Sequence, residues 1–378
     1  MIILVMGKII RLERRKPREN DVFPCKLTPC FKFNKKADNM RKPAILITGA
    51  NGEMGHGLIT ALHQANNINI VALDLIQLDK SISGFCYEGI IGNILDKDLI
   101  DQLNGEYEFD AIHHLAALLS TRAEFSPRSA HDVNVGGTLN LLNLALEQGR
   151  SQGKAIKFFF PSSIAVYGFK NLEEKISAGA VKEDSFRNPK TMYGCNKLYC
   201  EHLGAYYTNH YQRLGAVEQQ SCIDFRSIRF PGIISSKTIP TAGTSDYIPE
   251  MLHAAAKGES YNCFVRESTQ IPFMTMPDAI NAIIQVMKAP KEKLTRTVYN
   301  IRSFALTAEE FRQKLMEFFP DAEIRYGINE KRQKMVDSWP ADTDDSFAQN
   351  EWGWNPNHNL DNGLSEYLIP DLTKLYNN

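Results

Sequence analysis

The sequence lacks several features that would place the chain in a class at once. No apolar run approaches the about 18 residues that a membrane-spanning helix requires. The seven cysteines are an odd, scattered set with neither metal-ligand spacing nor the density of a small disulfide-stabilised domain. The net charge of -1 argues against a nucleic-acid footprint. We therefore expect a soluble protein of a reducing compartment, with no metal centre and no membrane or nucleic-acid partner.

The first 40 residues differ from the rest of the chain, being basic between Arg11 and Arg18 and without periodicity that could build a core. Three interpretations compete: a mitochondrial transit peptide, an extension created by an early start codon, and a disordered basic arm. Acidic residues such as Glu13 weaken the first, and Met40, directly before the first predicted strand, favours the second. We predict a disordered extension over 1–40 and a cytoplasmic location, or a mitochondrial one if the segment is a transit peptide.

Beyond residue 43, short apolar runs alternate with stretches of helical period. Strands are predicted at 44–48, 69–73, 89–91, 110–115, 155–160 and 222–228. Strands that alternate with helices are typical of a doubly wound parallel sheet with right-handed crossovers. The sequence therefore predicts an α/β fold. A Rossmann-like domain would cover 41–234, and a smaller C-terminal substrate-binding lobe with returns to that domain would cover 235–378.

The first strand is followed by glycines at 49, 52 and 55 and then by a helical period. In this context the glycines permit a tight turn, close approach of backbone amides to a pyrophosphate, and close packing of helix on strand. Such triplets also occur by chance in loops. The cofactor-binding residues predicted at this turn and helix start are Gly49, Asn51, Gly52, Glu53, Met54 and Gly55.

An acidic residue, Asp74, ends the second predicted strand about 20 residues after the glycine turn. A carboxylate in this place accepts hydrogen bonds from ribose hydroxyls and repels a 2′-phosphate. Because Leu75 and Ile76 follow, no arginine is present there to receive such a phosphate. Asp74 therefore favours NAD over NADP, the alternative being a helix N-cap.

Tyr193 and Lys197 stand one helical turn apart at the front of an aromatic run, about 6 Å along the axis. An ammonium near a phenol favours the phenolate, so the pair has the chemistry of a general base for an alcohol. Taken alone, the spacing more often marks a surface pair with snorkelling side chains.

Together these residues resemble the extended short-chain dehydrogenase/reductase superfamily. The resemblance implies catalytic roles for Tyr193 and Lys197, and for Ser163, which lies five residues before Gly168 in the segment after the fifth strand. It places Tyr193 and Lys197 among the NAD-binding residues as well. Further NAD-binding positions implied by the resemblance are Asn93, Ile94, Leu115, Ala116, Ala117 and Asn134. Asn93 replaces the aspartate that is usual there.

Further segments narrow the resemblance to the short-chain type of L-threonine 3-dehydrogenase. These segments include 118–120 and, in the second half of the chain, 230–235, 243–247 and 337–340. The resemblance implies oxidation of the β-hydroxyl of L-threonine to 2-amino-3-oxobutanoate, with NAD as hydride acceptor. The implied substrate-binding residues are Ser120, Ser163, Tyr193, Thr244 and Trp339. By analogy, a homodimer would pack through the Tyr193 helix and the helix around 134–146.

Two alternatives stay open from the sequence. An NAD-dependent nucleotide-sugar epimerase or dehydratase shares the fold and the Ser/Tyr/Lys group, and Arg266, Arg302 and Arg325 offer basic side chains for a nucleotide diphosphate. A non-catalytic NAD sensor would be expected to lack the Tyr or the Lys, and both are present. Production of free NADH from L-threonine distinguishes an L-threonine dehydrogenase from the first alternative, the epimerase or dehydratase.

Overall fold

A computed structural model describes residues 41–65, 68–214, 221–240 and 243–377, and two short strands within the N-terminal extension. These two strands, Leu4–Val5 (β1) and Lys8–Ile9 (β2), pair antiparallel within a unit that spans Met1–Met40. The remainder of the extension, for which disorder is predicted, lies outside the described residues. The second compact unit, Arg41–Asn378, contains all predicted site residues.

The strands of the second unit fall into one large sheet and several small ones. They are β3 Lys42–Thr48, β4 Ile70–Asp74, β5 Glu88–Ile91, β6 Tyr107–His114, β7 Ile156–Ser163, β8 Ala180–Val181, β9 Ile223–Phe230, β10 Gly232–Ile234, β11 Tyr261–Cys263, β12 Gln270–Thr275, β13 Val298–Asn300, β14 Phe304–Thr307, β15 Ile324–Tyr326 and β16 Asp342–Thr343.

The α-helices lie between these strands and after the last of them. They are α1 Glu53–Ala65, α2 Lys80–Ser83, α3 Lys97–Glu106, α4 Ser120–Phe125, α5 Pro127–His131, α6 Thr138–Gln152, α7 Leu172–Ala178, α8 Met192–Asn209, α9 Tyr247–Lys257, α10 Met276–Lys288, α11 Ala308–Met316, α12 Glu330–Asp337, α13 Ser346–Trp352, α14 Leu360–Asn362 and α15 Ile369–Asn377. Short 3-10 segments occur at Ile164–Val166 and Lys291–Lys293, and π turns at Asp132–Gly137 and Gly363–Leu368.

The large sheet has seven parallel strands in the order β13-β9-β7-β6-β3-β4-β5. From β3 the chain winds outward first through β4 and β5, and then through β6, β7 and β9 on the other side. The direction of winding changes between β3 and β6, and ligands of such sheets bind in the crevice at that place. The predicted Rossmann-like doubly wound sheet is confirmed, including all six predicted strands.

Alternation along β7 shows why these apolar runs form a sheet covered on both faces. Phe158 and Phe160 pack into a core with Leu142 of α6, whereas Phe159 packs into the opposite core with Leu58 of α1. Successive side chains of a strand point to opposite faces, so a continuous apolar run fits only a strand buried on both sides. Packing against both cores fixes where β7 ends relative to its neighbouring strands, and therefore fixes the position of Ser163.

A smaller mixed sheet with the strand order β10-β12-β14 belongs to the C-terminal lobe. Strand β9 of the large sheet passes through Pro231 directly into β10, and β13 of the large sheet passes through 301–303 into β14. A third core, including Tyr247, Phe273 and Phe311, lies in this lobe. This sheet was not predicted from the sequence, because strands of three to six residues have too few positions to show a hydrophobic period.

Apolar side chains are exposed on two neighbouring helices of the Rossmann-like part. Tyr199 and Tyr206 of α8 are 53% and 42% exposed, and Leu139 of α6 is 37% exposed. The predicted homodimer through these helices stays a prediction. Within the described ranges, no helix is long and apolar enough to cross a membrane.

Candidate active site

The glycine turn between β3 and α1 has the geometry that a phosphate-binding loop requires. Gly49 adopts φ +70, and a Cβ atom there would lie 2.6 Å from the backbone nitrogen of Ala116. A Cβ on Gly55 would lie 2.3 Å from the carbonyl oxygen of Ala50. Only glycine allows this conformation and these close approaches together. The turn brings the amides at the start of α1 to the carboxyl edge of the sheet, where the helix dipole favours an anion.

Replacing Gly49 by Ala is expected to lower the free energy of unfolding by about 1–3 kcal/mol, because a left-handed residue acquires a side chain. The end of β6 must also shift, so NAD binding should weaken. Urea unfolding and calorimetric titration with NAD measure the two effects. Gly84→Ala is the matched control, since φ is -71 at this residue and no atom lies within 4 Å of its Cβ position. Equal stability of the two variants would contradict the role of the turn.

Asp74 ends β4 beside this turn and is partly buried. Its Oδ2 accepts a hydrogen bond from the backbone nitrogen of Asn51 at 2.9 Å. The Asn51 amide in turn donates to Gln77 O at 2.9 Å and accepts from Asp79 N at 2.9 Å. The N-cap of α2 is Asp79, so the alternative role of Asp74 as a helix cap is wrong. Asp74 thus faces the glycine turn, in the place where a ribose hydroxyl can reach a carboxylate.

The other predicted cofactor residues differ in what their side chains contact. Asn93 is exposed and its Oδ1 accepts from Leu95 N at 3.0 Å, whereas Ile94 is buried against Gly137. Leu115 and Ala116 follow β6 directly, and Ala116 packs on the glycine turn. These residues line up along the edge of the sheet on both sides of the turn.

Asn134 is buried and contacts the backbone of a neighbouring loop. It lies in a π turn, is 3% exposed, and both accepts from Leu118 N at 2.8 Å and donates to Leu118 O at 3.0 Å. The predicted role of Asn134 in cofactor binding stays a prediction. Asn134 holds the loop that contains Ala117 and leads to Ser120.

The three predicted catalytic residues come from two adjoining elements. Ser163 is the last residue of β7, and its Oγ accepts from Ala165 N at 3.1 Å, which caps the following 3-10 segment. Tyr193 and Lys197 lie in the first two turns of α8, whose N-cap Thr191 accepts from Gly194 N at 2.9 Å. Ser163 thus serves as a local cap and also faces the same cavity as Tyr193.

The electrostatics of the pair differ from the prediction. Lys197 is 3% exposed, donates to Pro161 O at 2.6 Å, and its Nζ lies 5.4 Å from the centre of the Tyr193 ring. Burial lowers the pKa of Lys197 to about 8, although Cys200 and Glu201 oppose that shift. Burial raises the pKa of Tyr193, so the lowering expected from Lys197 is not found. Desolvation of the phenolate outweighs an ammonium that is directed to a carbonyl oxygen.

A cavity of about 710 Å³ joins these side chains to the predicted substrate residues. Thr244 donates to Ser120 Oγ at 3.3 Å across the mouth, and Trp339, 5% exposed, is both a cavity wall and part of the lobe core. The described residues that line the cavity include Glu53, Ala117, Ser120, Arg122, Ser163, Tyr193, Pro231, Gly232, Ile233, Thr244, Asp246 and Trp339. The structure therefore brings all five predicted substrate residues to one cavity. Arg122 is a lining residue that sequence reasoning did not assign.

A buried ion pair behind the cavity was not predicted. Arg229 donates from Nε and Nη2 to the two oxygens of Glu201, at 2.8 Å and 2.6 Å. Their side chains are 2% and 4% exposed. Glu201 also accepts a hydrogen bond from Ser162, the neighbour of Ser163. In the sequence, the ion pair is indicated only by a glutamate one turn after Lys197. Such a glutamate is too common to predict an ion pair with a residue of a strand.

The sequence model of a known protein family matches residues 45–301 of the chain. This family is described as the NAD dependent epimerase/dehydratase family. The chain belongs to this family.

Members of the family with assigned and unassigned activities resemble the chain over nearly its whole length. An uncharacterized epimerase/dehydratase of Staphylococcus saprophyticus is 35% identical over 320 residues, 84% of this chain and 93% of the relative. The mitochondrial L-threonine 3-dehydrogenase of Bos taurus is 32% identical over 325 residues, 86% of this chain and 81% of the relative. The crystal structure of L-threonine dehydrogenase from Clostridium difficile has a TM-score of 0.77 at 32% identity, covering 89% of this chain and 99% of that one.

These findings establish the class of enzyme. The chain is an oxidoreductase that uses a nicotinamide dinucleotide and acts on a small molecule. The glycine turn fits such a cofactor, because backbone atoms block the Cβ positions at Gly49 and Gly55. Asp74 fits it as an acceptor for ribose hydroxyls. Within the described part of the chain, no group of three or more His, Cys, Asp or Glu could hold a metal ion.

Proposed function

We propose that this family member oxidises the β-hydroxyl of L-threonine to 2-amino-3-oxobutanoate with NAD. The observation that carries the proposal is the cavity itself, in which Ser163 and Tyr193 meet Ser120, Thr244 and Trp339. Small hydroxyl groups and one indole suit a short polar substrate. The resemblance to the bovine and clostridial L-threonine dehydrogenases supports the same substrate.

The proposed cofactor site combines the turn at Gly49, Gly52 and Gly55 with the start of α1 and with Asp74. The amides of Glu53 and Met54 bind the pyrophosphate, and Asp74 accepts the ribose hydroxyls. Further residues proposed to line the site are Asn51, Asn93, Ile94, Leu115, Ala116, Ala117, Tyr193 and Lys197. When bound, the oxidised nicotinamide accepts a hydride and adds positive charge to the site.

In the proposed reaction, Tyr193 takes the proton of the substrate hydroxyl through its phenolic oxygen. This transfer requires the phenolate form of Tyr193, which burial disfavours because it raises the pKa of the phenol. Added positive charge favours the phenolate, and Lys197 keeps its own charge below about pH 8. Ser163 donates a hydrogen bond to the oxygen that becomes the ketone. The end of β7 therefore holds the substrate oxygen while α8 supplies the base.

The proposal is tested by following NADH absorbance when the protein and NAD receive L-threonine, with UDP-glucose in a parallel reaction. We expect NADH from L-threonine and none from UDP-glucose. No NADH from L-threonine, together with epimerisation or dehydration of a UDP-sugar, would reject the proposal in favour of the sugar-modifying branch of the family. The basic residues considered for that branch do not support it. Arg266 and Arg302 pair with Asp337 and Asp342, and the side chain of Arg325 on β15 is exposed.

The preference for NAD should depend on the charge of Asp74. The substitution Asp74→Asn keeps an oxygen for Asn51 N but removes the charge that opposes a 2′-phosphate. We expect the ratio of the NADP and NAD dissociation constants to fall by about 10- to 100-fold, the effect of one charge-assisted hydrogen bond. Calorimetric titration with both cofactors measures this ratio. In the control Asp79→Asn, which retains a good N-cap, the ratio should stay constant; an unchanged ratio in Asp74→Asn would disprove the role.

A further inference from the structure

The two acidic side chains on the cavity wall differ in whether their carboxylate oxygens have hydrogen-bond partners. Among the described lining residues, Glu53 and Asp246 are acidic and Arg122 is basic. Oδ2 of Asp246 accepts from Gly243 N at 2.6 Å and so closes its own turn. Oε1 of Glu53 is buried and has no hydrogen-bond partner among the described residues. Glu53 as a whole is half-buried, so its carboxylate is partly withdrawn from solvent, and a ligand in the cavity that donates to this carboxylate offsets the cost.

The position of Glu53 places its charge beside the proposed phosphate site. Glu53 is the first residue of α1, the helix whose N-terminal amides fit the phosphates of the cofactor. A carboxylate beside a pyrophosphate repels it, so the charge opposes the cofactor unless a cation lies nearby. The side chain instead lines the cavity that holds Tyr193 and Ser163. A cation bound in the cavity would meet Glu53 and offset the repulsion at the same time.

The geometry points to Glu53 as the residue that binds the ammonium group of a β-hydroxy-α-amino acid. Arg122 on α4, exposed in the same cavity, binds the carboxylate of that substrate. This inference rests on the proposed function and explains how the site distinguishes an amino acid from a plain hydroxy acid. It also makes the substrate and the cofactor mutually favourable, since the ammonium neutralises the charge that the phosphates oppose.

The test uses the full chain with the substitution Glu53→Gln and two substrates that differ only in the ammonium group, L-threonine and (R)-3-hydroxybutanoate. We expect the ratio of kcat/KM for L-threonine to kcat/KM for the hydroxy acid to fall by about 10- to 100-fold. The dissociation constant of NAD alone, measured by calorimetry, should stay the same or decrease, because one negative charge is removed. Unaltered NAD binding also shows that the variant is folded.

Asp101→Asn is the matched control, since it removes one exposed carboxylate of α3 outside the cavity and should change neither quantity. A substrate ratio that stays constant in Glu53→Gln overturns the inference. So does weaker NAD binding with a constant ratio, which would make a cofactor hydroxyl the partner of Glu53. The absence of NADH from L-threonine with the unaltered protein overturns the proposed function, and this inference with it.

Discussion

Replacing Tyr193 by Phe is expected to lower kcat for L-threonine by about 10²–10⁴-fold, the usual contribution of a positioned general base. The substitution removes the phenolic oxygen and keeps the ring, which packs beside Lys197 and the lobe core. NAD binding should therefore remain nearly unchanged. Steady-state NADH formation and calorimetric titration with NAD give the two quantities.

Tyr199→Phe provides the control for this experiment. Tyr199 lies on the same helix but is 53% exposed and away from the cavity, so its hydroxyl has no part in the proposed proton transfer. Activity of this variant should equal that of the unaltered protein. Full activity of Tyr193→Phe would exclude Tyr193 as the base and return attention to Ser163.

The substitution Glu201→Ala is expected to lower the free energy of unfolding by about 3–5 kcal/mol, the usual cost of leaving one member of a buried ion pair alone. Arg229 would keep a desolvated guanidinium that has lost two charge-assisted hydrogen bonds. Urea unfolding should show a lower midpoint with an unchanged m value. Activity should fall as well, because Glu201 accepts a hydrogen bond from Ser162, the neighbour of Ser163, for which we propose a catalytic role.

A surface pair gives the comparison for Glu201. Lys154 and Asp110 form an ion pair with side chains 50% and 60% exposed, so Asp110→Ala should cost no more than about 1 kcal/mol. The double variant Glu201→Ala with Arg229→Met should be more stable than Glu201→Ala alone, because no unpaired charge remains. If Glu201→Ala costs no more than Asp110→Ala, the buried pair does not stabilise the fold as described.

The sequence predicted the parts of the molecule that depend on neighbours along the chain. Apolar runs predicted the main strands, since a strand buried on both faces has no polar positions to interrupt it. Spacing predicted the turn at Gly49, where backbone conformation alone decides the residue. The capping box of Thr307 and Glu310 is another such local pattern, because it spans only four consecutive residues.

Properties that depend on distant contacts were not predicted. The raised pKa of Tyr193 follows from packing by elements far away in the chain, which spacing to Lys197 does not report. Asn134 contacts the backbone of Leu118, and Arg229 pairs with Glu201. Both contacts join residues that are well separated in the sequence, so a local hydrophobic period does not predict them. The unpartnered oxygen of Glu53 belongs to the same group, because a missing contact is visible only in three dimensions.

The passage of β9 through Pro231 into β10 has a consequence for the shape of the cavity. Pro231, Gly232 and Ile233 form part of the cavity wall, and the strands on either side belong to different sheets. A second short connection, 301–303, joins the same two sheets. Because only Pro231 separates β9 from β10, the end of a strand of the large sheet determines where this part of the cavity wall lies.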